Sequence, residues 1–160
     1  KDTHDIPLII KGIATAEDTE IAVGIGVHGI HVSNHGGRQL DYGLGTMDML
    51  PEVVEAAGGK AEIIIDGGFM RGTDVLKAVA LGADAVAVGK LYGLGLAAGG
   101  EAGVARVLEI VEGEMLNAIA LLGARSLDEL GPELITRTEP VREASAVSAY
   151  PLIEIDQYHY

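Results

Sequence analysis

A histidine and an arginine three residues apart, His35 and Arg38, flank paired glycines in the stretch Val32-Ser33-Asn34-His35-Gly36-Gly37-Arg38-Gln39. An imidazole accepts a proton near neutral pH, and a guanidinium presents a fork of donors that matches a carboxylate. Gly36 and Gly37 permit left-handed backbone and close approach to a flat ligand. A packed core has little use for this combination, whereas a site that binds an anion and moves a proton uses all of it. A histidine beside glycine is by itself ordinarily a turn residue. The functional reading of His35 therefore rests on its company: Arg38, Asn34 and the apolar run Gly29-Ile30-His31-Val32 that delivers it.

Two further glycine turns carry polar groups. Asp66-Gly67-Gly68, followed by Arg71-Gly72-Thr73, leads into a helix start, where free N–H groups and the helix dipole favour an anion and Arg71 adds charge. Gly89-Lys90 is a second such junction. Either alone reads equally well as a tight turn; together they favour a phosphorylated cofactor. Lys11 closes an apolar run and either snorkels to solvent or points its ammonium into the site. His4, His28, His31 and His159 lack such company and read as structural or surface residues. Gly93, Gly95, Gly99 and Gly100 form no Walker pattern, so the segment from Leu91 to Gly100 is assigned no nucleotide role. With no cysteine there is neither a disulfide nor a thiolate metal site, and no metal is expected.

The elements that would position these residues alternate. Apolar runs at Ile6–Lys11, Gly29–Ser33, Glu62–Ile65 and Ala85–Val88 read as strands, the first buried on both faces. Helices are expected from a Thr15 cap to about Gly24, from Pro51 in a first turn to a stop at Gly58-Gly59, and from a Thr73 cap through Val79. A longer one runs from about Gly103 to Leu122, and a shorter one covers Ser126 to Leu130. An internal repeat supports the pattern: Ala22-Val23-Gly24-Ile25-Gly26 leads into one strand as Ala78-Val79-Ala80-Leu81-Gly82 leads into another. This is the signature of a parallel α/β sheet, and Lys11, His35, Arg38, Asp66 and Lys90 all fall just past strand C-terminal ends, where βα-loops gather a site. A closed (β/α)8 barrel needs eight strands and roughly 250 residues; four units are present. Residues 1–137 are expected to form half a barrel, and residues 138–160, which show no clear period, a surface tail.

Bulk properties narrow the function. At 160 residues and 48% hydrophobic content the chain can form one compact core. A net charge of −13 argues against binding a phosphate backbone, and 4% aromatics with no tryptophan leaves no stacking platform, so nucleic acid is not expected as a partner. No stretch reads as a membrane segment or a signal peptide, which gives a cytoplasmic expectation. The chain opens on Lys1 within the lead-in to a strand, which suggests processing or a place inside something longer.

The stretch Ser33-Asn34-His35-Gly36-Gly37-Arg38-Gln39-Leu40-Asp41 resembles, almost letter for letter, the active-site signature of the FMN-dependent α-hydroxy-acid oxidases and dehydrogenases, the family of glycolate oxidase, lactate oxidase and mandelate dehydrogenase. Pro7-Leu8-Ile9-Ile10-Lys11-Gly12 resembles that family's fifth strand, Asp66-Gly67-Gly68 through Val75 its flavin-phosphate loop, and Leu81 to Gly89 the entry to its eighth strand. Leu122-Gly123-Ala124-Arg125-Ser126-Leu127 resembles its final helical region, and the likeness corresponds to the C-terminal half of the family's TIM barrel. The resemblance implies FMN as cofactor and oxidation of a 2-hydroxy acid to a 2-oxo acid. It further implies His35 as the base, taking its proton from the hydroxyl or from the α-carbon, Arg38 as the clamp on the substrate carboxylate, and Lys11 facing the flavin N1/C2 carbonyl. Ser33, Asp66, Gly67, Gly68, Gly89 and Lys90 would line the ribityl chain and phosphate, with Arg71 the remaining arginine of its loop. Two positions differ from the family's pattern: Met70 stands where an arginine is common, and Lys90-Leu91 replaces Arg-Pro, so looser FMN binding or a rearranged phosphate pocket is expected. The implied partners are a small 2-hydroxy acid, an N-terminal half-barrel that supplies the other wall, and further copies in a homo-oligomer. The alternatives are a half-barrel that binds flavin or a partner without turnover, and another FMN barrel enzyme such as an isomerase.

Overall fold

The computed structural model describes residue 4 and residues 6–138. Apart from Thr138, the expected surface tail lies outside the described residues. Four parallel strands, β1 (Ile9–Ile13), β2 (Gly29–Val32), β3 (Glu62–Ile65) and β4 (Ala85–Val86), pair in chain order. Each is followed by a helix or a turn leading to one: α1 (Ala16–Gly24), α2 (Thr46–Ala57), α3 (Gly72–Ala80) and α4 (Lys90–Leu122). Short 3-10 turns stand at His35–Gly37, Leu127–Glu129 and Pro132–Leu134.

Strand alternation divides the sheet into two faces. Ile30, Val32, Ile63 and Ile65 point to the helices and are buried with Leu50 and Val53 of α2 and Ala78 of α3. The opposite face carries one cross-strand row, Lys11–His31–Ile64–Ala85. That face is open, and Ile9 on it is 51% exposed, so the expectation of a first strand buried on both faces does not hold. β1 also starts later and runs further than expected. Gly12, at φ +100°, sits in a bulge between Lys11 and Ile13 that carries the strand on past the lysine.

Helix starts differ most from expectation. α2 begins at Thr46, so Pro51 stands inside the helix and not in its first turn; Met47, Met49 and Leu50 extend its apolar face toward the core. α3 is capped at Arg71 and not at Thr73, because the Asp74 carboxylate reaches back to accept from the backbone N–H of Arg71 at 3.0 Å and of Met70 at 3.2 Å. α4 starts thirteen residues earlier than expected and breaks at Gly99 and Gly100. The glycine-rich segment is where its two arms fold together, since a Cβ on Gly103 would collide with the Gly95 carbonyl. The expected helix over Ser126 to Leu130 is only a single 3-10 turn, and the β-ladder ends at Val86, although Ala87 still donates to Ile65 O at 2.8 Å. The Thr15 cap is as expected, with its hydroxyl accepting from Asp18 N–H at 3.2 Å.

Gly72 fixes the distance between α3 and α4. A Cβ there would lie 2.5 Å from Val111 O and 2.6 Å from Glu114 Cβ. Gly72→Ala is therefore expected to destabilise by about 1–3 kcal/mol, as overpacking does, read as a lower denaturation midpoint with an unchanged m-value.

Candidate active site

The C-terminal rim of the sheet is tied together by one hydroxyl. Ser33, at the end of β2, is 2% exposed, and its Oγ donates to Asp66 Oδ1 at 2.5 Å. The same oxygen accepts from Lys11 Nζ at 2.6 Å and from the His35 backbone N–H at 3.1 Å. A hydroxyl has one donor and two acceptor positions, and here all three are used. Lys11 Nζ also pairs with Asp66 Oδ2 at 2.8 Å. Burial pushes the Asp66 carboxyl up, but hydrogen bonds from Lys11 and Ser33 and the charges of Lys11 and His31 outweigh it and hold it below its ordinary value. Asp66 thus stays charged at neutral pH.

His35 follows in a strained turn. Asn34 caps it, accepting from Gly36 N–H at 3.1 Å and donating to Leu44 O at 3.2 Å, which anchors the turn to the following loop. His35 itself has φ +56°, an unusual conformation for a residue with a Cβ. Its imidazole passes over Gly12, where a Cβ would meet Cε1 at 3.0 Å. A side chain at position 12 would push the imidazole away; glycine keeps the space. Arg38 Nε lies 3.4 Å from the His35 carbonyl, a long hydrogen bond that leaves the guanidinium's terminal nitrogens for another partner.

A cavity of about 410 Å³ opens over this rim. Lys11, His35, Arg38, Asp66, Gly67, Gly68, Gly89 and Lys90 all line it, while Ser33 lies beneath as the hub that holds Lys11, Asp66 and His35. Arg71 is not brought there. Its guanidinium pairs with Glu114 of α4 at 2.7 and 2.8 Å, and the Gly72 N–H donates to the other Glu114 oxygen at 2.7 Å. The anion expected at the start of α3 is thus one of the chain's own carboxylates, which Arg71 holds below its usual range. Sequence reasoning passed over Gln39, Phe69 and Tyr92, which also line the cavity. Tyr92 gave no stronger signal than its place two residues after Lys90.

These residues fit FMN. The cavity's volume lies within the about 300–1,000 Å³ usual for cofactor sites. Lys90 at the first turn of α4, with the Cβ-free walls of Gly67, Gly68 and Gly89, suits a phosphate, and the Lys11 ammonium suits the polar edge of a flat ring. A parallel sheet with polar groups gathered at its C-terminal rim has the arrangement of an α/β barrel, a class in which a phosphate-binding site is frequent there. The chain belongs to the FMN-dependent dehydrogenase family, whose model matches residues 1–137. It is 49% identical over 147 residues to a peroxisomal (S)-2-hydroxy-acid oxidase of Oryza sativa subsp. japonica, which spans 92% of this chain and 39% of that protein. To the L-lactate oxidase of Nostoc sp. it is 48% identical over 78% of its length and 34% of the relative's. Among solved structures, mandelate oxidase with (S)-4-hydroxymandelic acid superposes with a TM-score of 0.76 at 44% identity, over 81% of this chain and 39% of that one. Mandelate oxidase with benzoyl-formic acid gives 0.75 at 45% identity, over 80% and 40%. The chain spans about two fifths of the length of these relatives. Its four parallel βα units are part of a TIM barrel, as the resemblance implied.

Proposed function

We propose that this chain, completed by the rest of its barrel, oxidises a small 2-hydroxy acid to the 2-oxo acid with FMN. The observation that carries the reading is His35 and Arg38 on one turn, lining the same cavity as the Lys11 ammonium. Bound FMN would accept the two electrons and one of the two hydrogens lost when the substrate C–H and O–H bonds become a C=O bond, the other hydrogen leaving as a proton. Lys11, Ser33, Asp66, Gly67, Gly68, Gly89 and Lys90 would hold it. Arg38 clamps the substrate carboxylate through its free guanidinium nitrogens, orienting the hydroxyl-bearing carbon. His35 accepts the proton released from the substrate, and its fixed turn over Gly12 sets where that proton is taken. With FMN bound, the Lys11 ammonium would favour negative charge on the ring edge beside it.

The relatives named above act on small 2-hydroxy acids or are named for them. An N-terminal half-barrel is the partner that the open sheet face and the unpaired edges of β1 and β4 call for, and association into oligomers would cover the exposed leucines of α4. The test is anaerobic addition of short 2-hydroxy acids to the flavin-loaded protein. Bleaching of the flavin is expected, and Arg38→Met should raise KM by about 10- to 100-fold, the worth of a charged hydrogen-bonding clamp. Flavin that binds yet is bleached by none of these acids would favour the non-catalytic alternative.

A further inference from the structure

On the inward face of the sheet, paired in register with Lys11, stands His31. Sequence reasoning set it aside as structural. Its side chain is 13% exposed, and Nε2 lies 3.2 Å from Asp66 Oδ2, near enough for electrostatic contact but without the alignment of a hydrogen bond. Among the described residues, the charged groups facing it are Lys11 from β1 and Asp66 beyond β3. We infer that His31 is a positioning residue for Lys11: its imidazole backs the Asp66 carboxylate on the inward side, so that the carboxylate stays fixed and Lys11 keeps one N–H directed to the cavity. This inference rests on the reading of Lys11 as part of the flavin site.

The donor count supports it. An ammonium has three N–H groups; one goes to Ser33 Oγ and one to Asp66 Oδ2, leaving a third. Lys11 is 45% exposed on a flexible stem, so its direction depends on its two anchors, Ser33 and Asp66. Asp66 Oδ1 is held by Ser33, and Oδ2 meets both Lys11, at 2.8 Å, and His31, at 3.2 Å. Removing the imidazole takes away one of the two groups against Oδ2 and gives the Lys11–Asp66 pair room to turn away from the cavity.

The same placement gives the cluster an acid limit. Burial and the Lys11 charge lower the His31 pKa from 6.5 while Asp66 opposes them, so His31 is neutral at pH 7 and above. When His31 does take a proton, at a pH below its ordinary 6.5, a second cation is brought to the oxygen that holds Lys11, and the hold weakens.

The test uses the flavin-loaded protein with its whole barrel, in wild type, His31→Leu and His31→Gln. At pH 8, His31→Leu is expected to lower kcat about tenfold with KM within twofold, because Arg38 is untouched; His31→Gln, which keeps a polar side chain able to offer an N–H to Asp66, retains at least a third of wild-type kcat. As pH is lowered from 8 through the His31 titration, located below 6.5, the ratio of wild type to His31→Gln should fall, because only the former titrates at this position. A second readout needs no turnover: by NMR of labelled histidine, with the His31 resonance identified by its loss in His31→Gln, its titration should move to higher pH in Lys11→Met. Wild-type kcat and pH profile in His31→Leu would overturn the inference. So would equal losses in His31→Leu and His31→Gln, which mean packing alone, or a His31 titration indifferent to Lys11→Met. Wild-type protein whose flavin no hydroxy acid bleaches would instead defeat the functional reading itself, while the NMR result would still report on the cluster.

Discussion

His35→Gln is expected to lower the rate of flavin reduction by about 10²- to 10⁴-fold, the usual contribution of a positioned general base, while the flavin remains bound. Glutamine keeps the backbone N–H that donates to Ser33 Oγ, so the hub linking Lys11, Asp66 and the turn is left in place. Glutamine pays no lower conformational cost than histidine at φ +56°, and its amide has no titratable acceptor to take the proton. The loss should therefore appear in the reduction step and not in cofactor content. Stopped-flow reduction at saturating 2-hydroxy acid, beside the ratio of flavin to protein absorbance, separates the two. A variant reducing at more than a tenth of the wild-type rate would place the base elsewhere. Loss of flavin would instead show that the imidazole is needed for holding the cofactor.

What the sequence disclosed follows from how locally each feature is encoded. The two helix-to-strand repeats are an example. Gly26 and Gly82 both take positive φ, and Gly26 N–H donates to Val23 O as Gly82 N–H does to Val79 O, each at 2.9 Å. Val27 and Ala83 then reach back to Ala22 and Ala78 in the same way. A glycine required by a turn is a one-residue signal, and it can be read. The location of His35, Asp66 and Lys90 beyond strand ends was legible for the same reason, since βα order alone places them on one rim, whereas Lys11 lies within β1, which runs on to Ile13.

The features that escaped depend on residues far apart in sequence. Arg71 looks like a phosphate ligand until Glu114, forty-three positions on, is brought against it. Ser33 offers no sign from its own type that one hydroxyl will serve Lys11, Asp66 and His35 together. The first arm of α4 was missed because its glycines have poor helix propensity, whereas Gly95 and Gly103 are there to let the two arms touch. Tertiary packing overrode local preference in each case.

The exchange of roles between positions 70 and 71 leads to the second large effect. Met70 lines the cavity beside Gly67, Gly68 and Lys90, whereas Arg71 turns outward to Glu114. Lys90, which follows Gly89, is then the cation of this part of the lining, and lysine meets a phosphate as a point charge without arginine's fork. Met70→Arg places a guanidinium among these groups. One added charge-assisted hydrogen bond is worth about 1.5–3 kcal/mol, so FMN should bind about 10- to 150-fold more tightly. Quenching of FMN fluorescence on titration with apoprotein measures this, and the gain should shrink as salt is raised. Riboflavin, which lacks the phosphate, is the decisive control, because its affinity should be unchanged by the substitution. An equal gain for riboflavin would mean that Met70 borders the ring or the ribityl chain. Arg71→Ala, by contrast, should leave FMN affinity unaltered and lower only stability, since the partner it deserts is a carboxylate between two helices.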